Sequence, residues 1–393
     1  MSLKREALFH ICGSVAYALA QWSVLVVLSR LISIAAAGEY AYYLALFTPA
    51  AILTTFGVRN SIASDNNREH GLSTYRRAQQ TGLLVLTLYY LAILAVTDGD
   101  ATIATLVFLI KLSDNLSELS YGTWVRSGGL YRYGVSKIAK LTLFAALFLA
   151  LFALGIRVKE MLLVYPAATL IVYFIYDRRQ EEKEAPRDTG LLNIIKTGTP
   201  LALGSFIVSL NSSIPRISIN HILDEQALAE FVMLTYFIAF ATLPINSICQ
   251  AIIPRITQHG IPRRAWLFFI IYSSGYLAFM MLLANPAIEI IYKTKIDYPY
   301  HILAMIGVAG GLHFLSTLSN AVLVANRQFN KILVAALFST VVAVIASPLL
   351  IMRFAQTGAA AAYLISSLTL FGFNALYATQ RHRKLATSLD SPA

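Results

Sequence analysis

Lys111, Asp114 and Glu118 sit inside an otherwise apolar run that extends from residue 101 to residue 122. On a helix the three fall within about 60° of arc and form one stripe. Lys111 and Asp114, three positions apart, are spaced to pair. Asp114 and Glu118, four apart, repel if both are ionised. Two carboxyls beside an ammonium suit the passing of a proton; the plainer alternative is a structural ion pair. Arg216 lies in a second apolar run, behind Pro215 and the polar stretch Asn211, Ser212, Ser213. Its guanidinium offers a planar two-donor fork that matches phosphate. The competing role is a long side chain reaching to a membrane surface. Arg30 stands near the end of the first apolar run, where Gln21 carries an amide suited to sugar hydroxyls. His313, close to Gly310-Gly311, adds the side chain whose charge changes most readily near neutral pH; a packed histidine is the alternative. Arg216, Arg30, Asn211 and Gln21 are therefore the substrate-binding candidates, and Lys111, Asp114, Glu118 and His313 the ion-coupling candidates. The sequence holds no G-x-x-x-x-G-K-[ST] loop, no CxxC and no H-E-x-x-H, so no catalytic set, metal or cofactor is expected.

These residues are positioned by apolar spans. The 393-residue chain is 57% hydrophobic and 13% charged, with mean hydropathy +0.65. A soluble domain carries about a quarter charged residues, and a membrane helix needs about 20 apolar ones. Twelve such runs occur, at roughly 9–34, 39–58, 79–97, 101–122, 138–156, 160–177, 198–220, 229–253, 265–285, 301–324, 332–350 and 357–379. The expected fold is an all-α integral membrane protein of about twelve transmembrane helices in two six-helix lobes. The first run is too long for a signal-peptide core and is expected to be retained. A charge inside a bilayer costs on the order of 2.5–3.5 kcal/mol on insertion scales, which is why the stripe and Arg216 draw notice.

The net charge of +11 does not indicate nucleic acid, because of where the charge lies. Of the 31 Lys+Arg, 23 fall at the termini and in every second gap, among them Arg59, Arg76, Arg77, Lys137 and Lys140. Six fall in the alternate gaps: Arg30, Arg157, Lys159, Lys293, Lys295 and Arg353. By the positive-inside rule, both termini are cytoplasmic. Tyrosines at span ends (Tyr40, Tyr42, Tyr43; Tyr89, Tyr90; Tyr131, Tyr133; Tyr298, Tyr300) fit an interfacial belt. Cys12 and Cys249 fall inside spans and read as small buried apolar residues.

The most polar internal segment, Asp177 to Asn193, reads as a cytoplasmic linker. It divides a lobe at 1–176 from a lobe at 194–380, with a cytoplasmic tail at 381–393. A shift of 191 residues aligns Gly13-Ser14 with Gly204-Ser205, Leu19 with Leu210, Ala36 with Ala227 and Glu39 with Glu230. The two segments also share a topology, a span in and a span out, as parallel repeats would.

Leu28 to Ala63, with its Gly38-Glu39-Tyr40 turn and a span ending in Phe56-Gly57, resembles the first helix pair of the polysaccharide (O-antigen, Wzx-type) flippases. These belong to the multidrug/oligosaccharidyl-lipid/polysaccharide exporter superfamily. Leu210 to Phe231 with Pro215-Arg216 resembles the seventh helix and its exit. Ala325-Asn326-Arg327 resembles the turn before helix eleven, and Thr357-Gly358-Ala359-Ala360 the start of helix twelve. Ala229 stands where a glycine is expected. The resemblance implies two lobes forming a V and alternating access. It implies an undecaprenyl-pyrophosphate-linked glycan as partner, with membrane lipids and other glycan-assembly proteins around it, in a bacterial inner membrane. A cation-coupled drug antiporter of the same superfamily is the nearest alternative. A membrane glycan polymerase or ligase is a more distant one, since it would need an extended outer loop.

Overall fold

The computed structural model describes residues 3–65, 70–180, 190–259, 263–326 and 328–389. These are helical almost throughout, with no strand among them. In chain order the helices are α1 Leu3–Leu31, α2 Ile34–Thr54, α3 Val58–Ser64, α4 Leu72–Val96, α5 Ala101–Arg126, α6 Leu130–Ala153, α7 Val158–Met161, α8 Val164–Val172, α9 Leu191–Ile222, α10 Glu225–His259, α11 Arg263–Tyr292, α12 Tyr300–Ala325 and α13 Phe329–Leu389. A π-helical turn, Tyr173–Asp177, continues α8.

Among the described residues nine helical stretches are long and apolar enough to cross a membrane, and ten with α9, which bends by 43° between Leu191–Pro200 and Ala202–Ile222. Two observations restore the expected twelve. Helix α5 spans 26 residues, long enough to cross, but its three charges interrupt the apolar run. Helix α13 contains 61 residues with one non-helical residue, Ala355 (φ 47, ψ −126). At 1.5 Å per residue it would extend about 90 Å, against a hydrocarbon core of about 30 Å. It is two spans joined at that break, where the sequence places the gap between its last two runs.

The chain divides into two units, Met1–Ser209 and Leu210–Ala393. The division falls inside α9, whereas the charge pattern places it at 177–193; residues 181–189 of that segment, and 390–393 of the tail, lie outside the described residues. The reason is local. The first half of α9 packs on the corner between α2 and α3, where Phe56 (φ 47) and Gly57 (φ 64) take left-handed backbone. A Cβ on Gly198 would lie 2.0 Å from the Phe56 carbonyl oxygen, and one on Gly82 of α4 would lie 1.8 Å from that of Thr54. Main chain meets main chain there, and no other residue type fits.

In the first unit α5 is the central helix. It packs against α2, α3, α4 and α8 and buries most of its length, including Trp124. Asn115 donates from Nδ2 to the Ala51 carbonyl (3.1 Å). Gln79 of α4 donates to the carbonyls of Asn115 (2.7 Å) and Leu116 (3.0 Å). In the second unit α12 packs against α10, α11 and α13.

The span-end tyrosines differ from expectation. Tyr40, Tyr42, Tyr43, Tyr133 and Tyr298 are buried, while Tyr300 is exposed. The buried rings pack between helices. Cys249 is buried as expected, but Cys12 is exposed on α1.

Candidate functional site

A cavity of about 320 Å³ opens inside the first unit, walled by α1, α2, α3, α5 and the first half of α9. Lys111, Asp114 and Glu118 all line it. The i, i+3, i+4 spacing on α5 aims the three to one side, and the break after α2 leaves the room they face. Arg59 and Asn60 of α3 enter from the corner, Tyr17 from α1 and Ser205 from α9.

The pairing differs from the sequence expectation. Lys111 and Asp114 form no ion pair. Asp114 instead accepts a hydrogen bond from the Tyr17 hydroxyl on Oδ2 (2.6 Å). The same hydroxyl accepts from Nε2 of Gln21 (2.6 Å), so Gln21, Tyr17 and Asp114 make one chain linking α1 to α5. Glu118 pairs with Arg59 at 3.5 Å. That arginine, a topological charge by its place in the sequence, is a member of the cavity wall. Lys111 is 7% exposed and makes no hydrogen bond or ion pair among the described residues. Its ammonium faces the cavity with Asp114 within electrostatic reach but with no hydrogen bond of its own among the described residues.

Beneath this wall lies a second charged cluster. Lys140 of α6 donates from Nζ to Ser117 Oγ (2.7 Å), the Tyr121 hydroxyl (2.9 Å) and Asp177 Oδ2 (2.9 Å). Ser117 Oγ in turn donates to Asp177 Oδ2 (2.8 Å). Lys140 is buried, Asp177 is 0% exposed, and its Oδ1 is buried without a partner. The charge pattern counts Lys140 as a cytoplasmic-loop charge and Asp177 as the start of a linker. Both lie in the interior, since the π-helical turn at Tyr173–Asp177 carries Asp177 inward onto α5 and α6.

The remaining candidates lie apart from the cavity. Arg30 is exposed in the last turn of α1, where a cation complements the helix dipole. Asn211, Arg216 and His313 belong to the second unit. Asn211 donates from Nδ2 to Ser339 Oγ (2.6 Å), and its Oδ1 is buried without a partner. Arg216 is half-buried within electrostatic reach of Tyr236 and Tyr363. His313 is half-buried, its ring centroid 6.5 Å from that of Phe314. Sequence reasoning missed Tyr17, Arg59, Lys137 and Tyr121. Only helical spacing could have hinted at Tyr17, which precedes Gln21 by four positions.

Near the ends of the spans each unit ties down a glutamate with different partners. Glu39 accepts from the backbone N–H of Asp100, whose carboxylate Lys159 contacts. Burial alone would raise the Asp100 carboxyl, but the bonds from Lys159 and Thr102 prevail and hold it below its ordinary value. Glu230, the aligned residue, accepts from Nε2 of Gln356 on its carboxylate and from the Tyr298 hydroxyl on its backbone carbonyl (2.8 Å).

No family model matches the chain. The Staphylococcus aureus capsular polysaccharide biosynthesis protein CapF is 27% identical over 250 residues, 61% of this chain and 62% of that protein. The match thus spans about three fifths of that relative's length. Among solved structures, a mutant of the Vibrio cholerae MATE transporter VcmN superposes with TM-score 0.69 at 13% identity, covering 97% of this chain and 96% of its own. The lipid II flippase MurJ in an inward closed conformation superposes with TM-score 0.72 at 13% identity, covering 94% and 87%. These neighbours are transporters and flippases rather than enzymes. The chain has their fold and, with its apolar helices, is a multi-pass membrane protein.

Proposed function

We propose that this membrane chain is a flippase for a lipid-linked oligosaccharide of the bacterial inner membrane. Its cargo is an undecaprenyl-pyrophosphate-linked O-antigen or capsule-type repeat unit, moved by alternating access with both termini cytoplasmic. The observation that carries the reading is Lys111, a buried ammonium lining the cavity with no ion pair of its own. A pyrophosphate head group supplies the direct anionic contact that Asp114, held by Tyr17, does not make, while the polyprenyl tail stays in lipid. Arg59 is already matched by Glu118, so a head group draws chiefly on Lys111. The capsular relative and the lipid II flippase support a glycan lipid as the cargo class.

The MATE neighbours favour a second reading, a cation-coupled antiporter of small molecules. That activity needs carboxylates open to a cationic compound. Here Asp114 is engaged by Tyr17 and Glu118 by Arg59.

Complementation of a flippase-deleted strain, read as surface glycan, tests the proposal. Losing one hydrogen bond to a charged group costs about 1.5–3 kcal/mol, or roughly 10- to 100-fold in affinity. Lys111→Met should therefore abolish export at normal expression, and Lys111→Arg should keep part of it. Wild-type export by Lys111→Met would overturn the reading.

A further inference from the structure

Lys137 of α6 is absent from the cavity lining, yet its ammonium lies among three tyrosine rings. Nζ lies 3.9 Å from the ring centroid of Tyr17, 4.7 Å from that of Tyr133 and 5.8 Å from that of Tyr121. All three distances fall within the ~6 Å at which a cation is attracted by a ring face. Three electron-rich faces converging on one ammonium are the arrangement that receives quaternary ammonium ligands elsewhere. Here the occupant is tethered.

Each ring is held by something other than Lys137. The Tyr17 hydroxyl donates to Asp114 and accepts from Gln21. The Tyr121 hydroxyl accepts from Lys140 and bonds Ser136 Oγ at 3.2 Å. Tyr133 stacks on His10, centroids 4.8 Å apart at 20°, and meets Tyr121 edge-on at 4.5 Å. The cage therefore keeps its shape when its occupant is removed. It also borders the cavity, since Tyr17 lines both.

We propose that Lys137 is a selectivity element: a built-in ammonium that fills the Tyr17–Tyr121–Tyr133 cage and so denies it to free organic cations. The inference rests on the reading that the neighbouring cavity serves an anionic head group. A cage left open beside Asp114 would invite the opposite cargo. Tethering the cation closes that site and keeps its positive charge next to the cavity.

The test uses purified full-length protein in detergent, titrated with tetramethylammonium chloride against a sodium chloride control, with binding read by calorimetry. Lys137→Ala empties the cage and should bind tetramethylammonium roughly tenfold or more tighter than the wild type does. Lys137→Ser is carried alongside under the same criteria, so that a folding defect in one small variant does not decide the outcome. Lys137→Met keeps an apolar stem in the cage without the charge and should stay as weak as the wild type. Binding by the wild type as tight as by the small variants would overturn the proposal. So would the absence of binding in a folded small variant, or binding by Lys137→Met as tight as by Lys137→Ala. Glycan rescue by the wild-type chain reports separately on the proposed function. Failure to rescue, with the cage result intact, removes the glycan reading alone; rescue, with no cation binding in either small variant, removes the cage alone.

Discussion

Replacing Asp177 by asparagine should destabilise the first unit by about 3 kcal/mol. The ammonium of Lys140 has three N–H donors, and the structure uses all three, on Ser117, Tyr121 and Asp177. Asparagine keeps an acceptor for the third but removes the one anion paired, among the described residues, with a lysine that is 7% exposed. Breaking a buried pair by removing one partner costs about 3–5 kcal/mol, because the other charge stays desolvated; the retained acceptor puts this case at the low end. Asp177→Leu removes the acceptor too and should cost more. The double variant Lys140→Met/Asp177→Leu leaves no charge behind, and well-packed apolar replacements of buried pairs are often neutral. It should therefore recover most of the loss, with a coupling energy of about 3 kcal/mol across the cycle. The assay is unfolding by sodium dodecyl sulfate in mixed micelles, followed by tryptophan fluorescence. Trp124 packs with Tyr121 and Tyr176 beside the pair and reports on this region. If Asp177→Asn unfolds within about 1 kcal/mol of the wild type, or if the two single losses simply add, the pair is not holding the helices as described.

Three further outcomes are expected. Arg216→Ala should lose glycan export if its guanidinium meets the head group, with Arg216→Lys restoring only part because lysine lacks the planar fork; full rescue by lysine and little cost from alanine would assign Arg216 to a surface role. Phosphatase fused after Gly99 should be active and after Asp188 inactive, and the reverse pattern would defeat the orientation drawn from the lysine and arginine distribution. Because the Asp100 carboxyl is held low in the folded chain, its contribution to stability is complete above the ordinary carboxylate range and fades as pH falls through its lower folded value. Asp100→Asn should remove that part of the acid-induced loss, and an unchanged acid unfolding profile in the variant would argue against it.

The spans were legible because each is a local property of the chain. Apolar runs located all of them, including the α13 break, where the gap between runs falls on Ala355. The stripe on α5 was legible for the same reason: helical spacing alone puts Lys111, Asp114 and Glu118 on one side. Their partners were not. Tyr17 is 97 residues from Asp114, Arg59 is 59 from Glu118, and no period connects them. The charge count worked against the site. A rule that sorts lysines and arginines by gap treats Arg59, Lys137 and Lys140 as equivalent loop charges. All three point inward because the first turns of α6 and the short α3 lie within the packed unit. The burial of Tyr40, Tyr43 and Tyr298 escapes the sequence pattern in the same way, since an amphipathic ring serves equally at a lipid interface and in a hydrogen-bonded interior. The internal repeat is faint by identity, and the aligned Glu39 and Glu230 meet different partners.

The corner between α2 and α3 sets a limit on variation in this chain. Backbone carbonyls of Thr54 and Phe56 press against Gly82 and Gly198 at distances where a single added carbon would overlap them, and Gly57 takes a dihedral that side chains resist. In a saturation library these columns should come back empty, alanine included. The room of the cavity is thus set by main chain, and variation in its lining is expected to fall on the side chains of α1, α3 and α5 against a fixed main-chain frame.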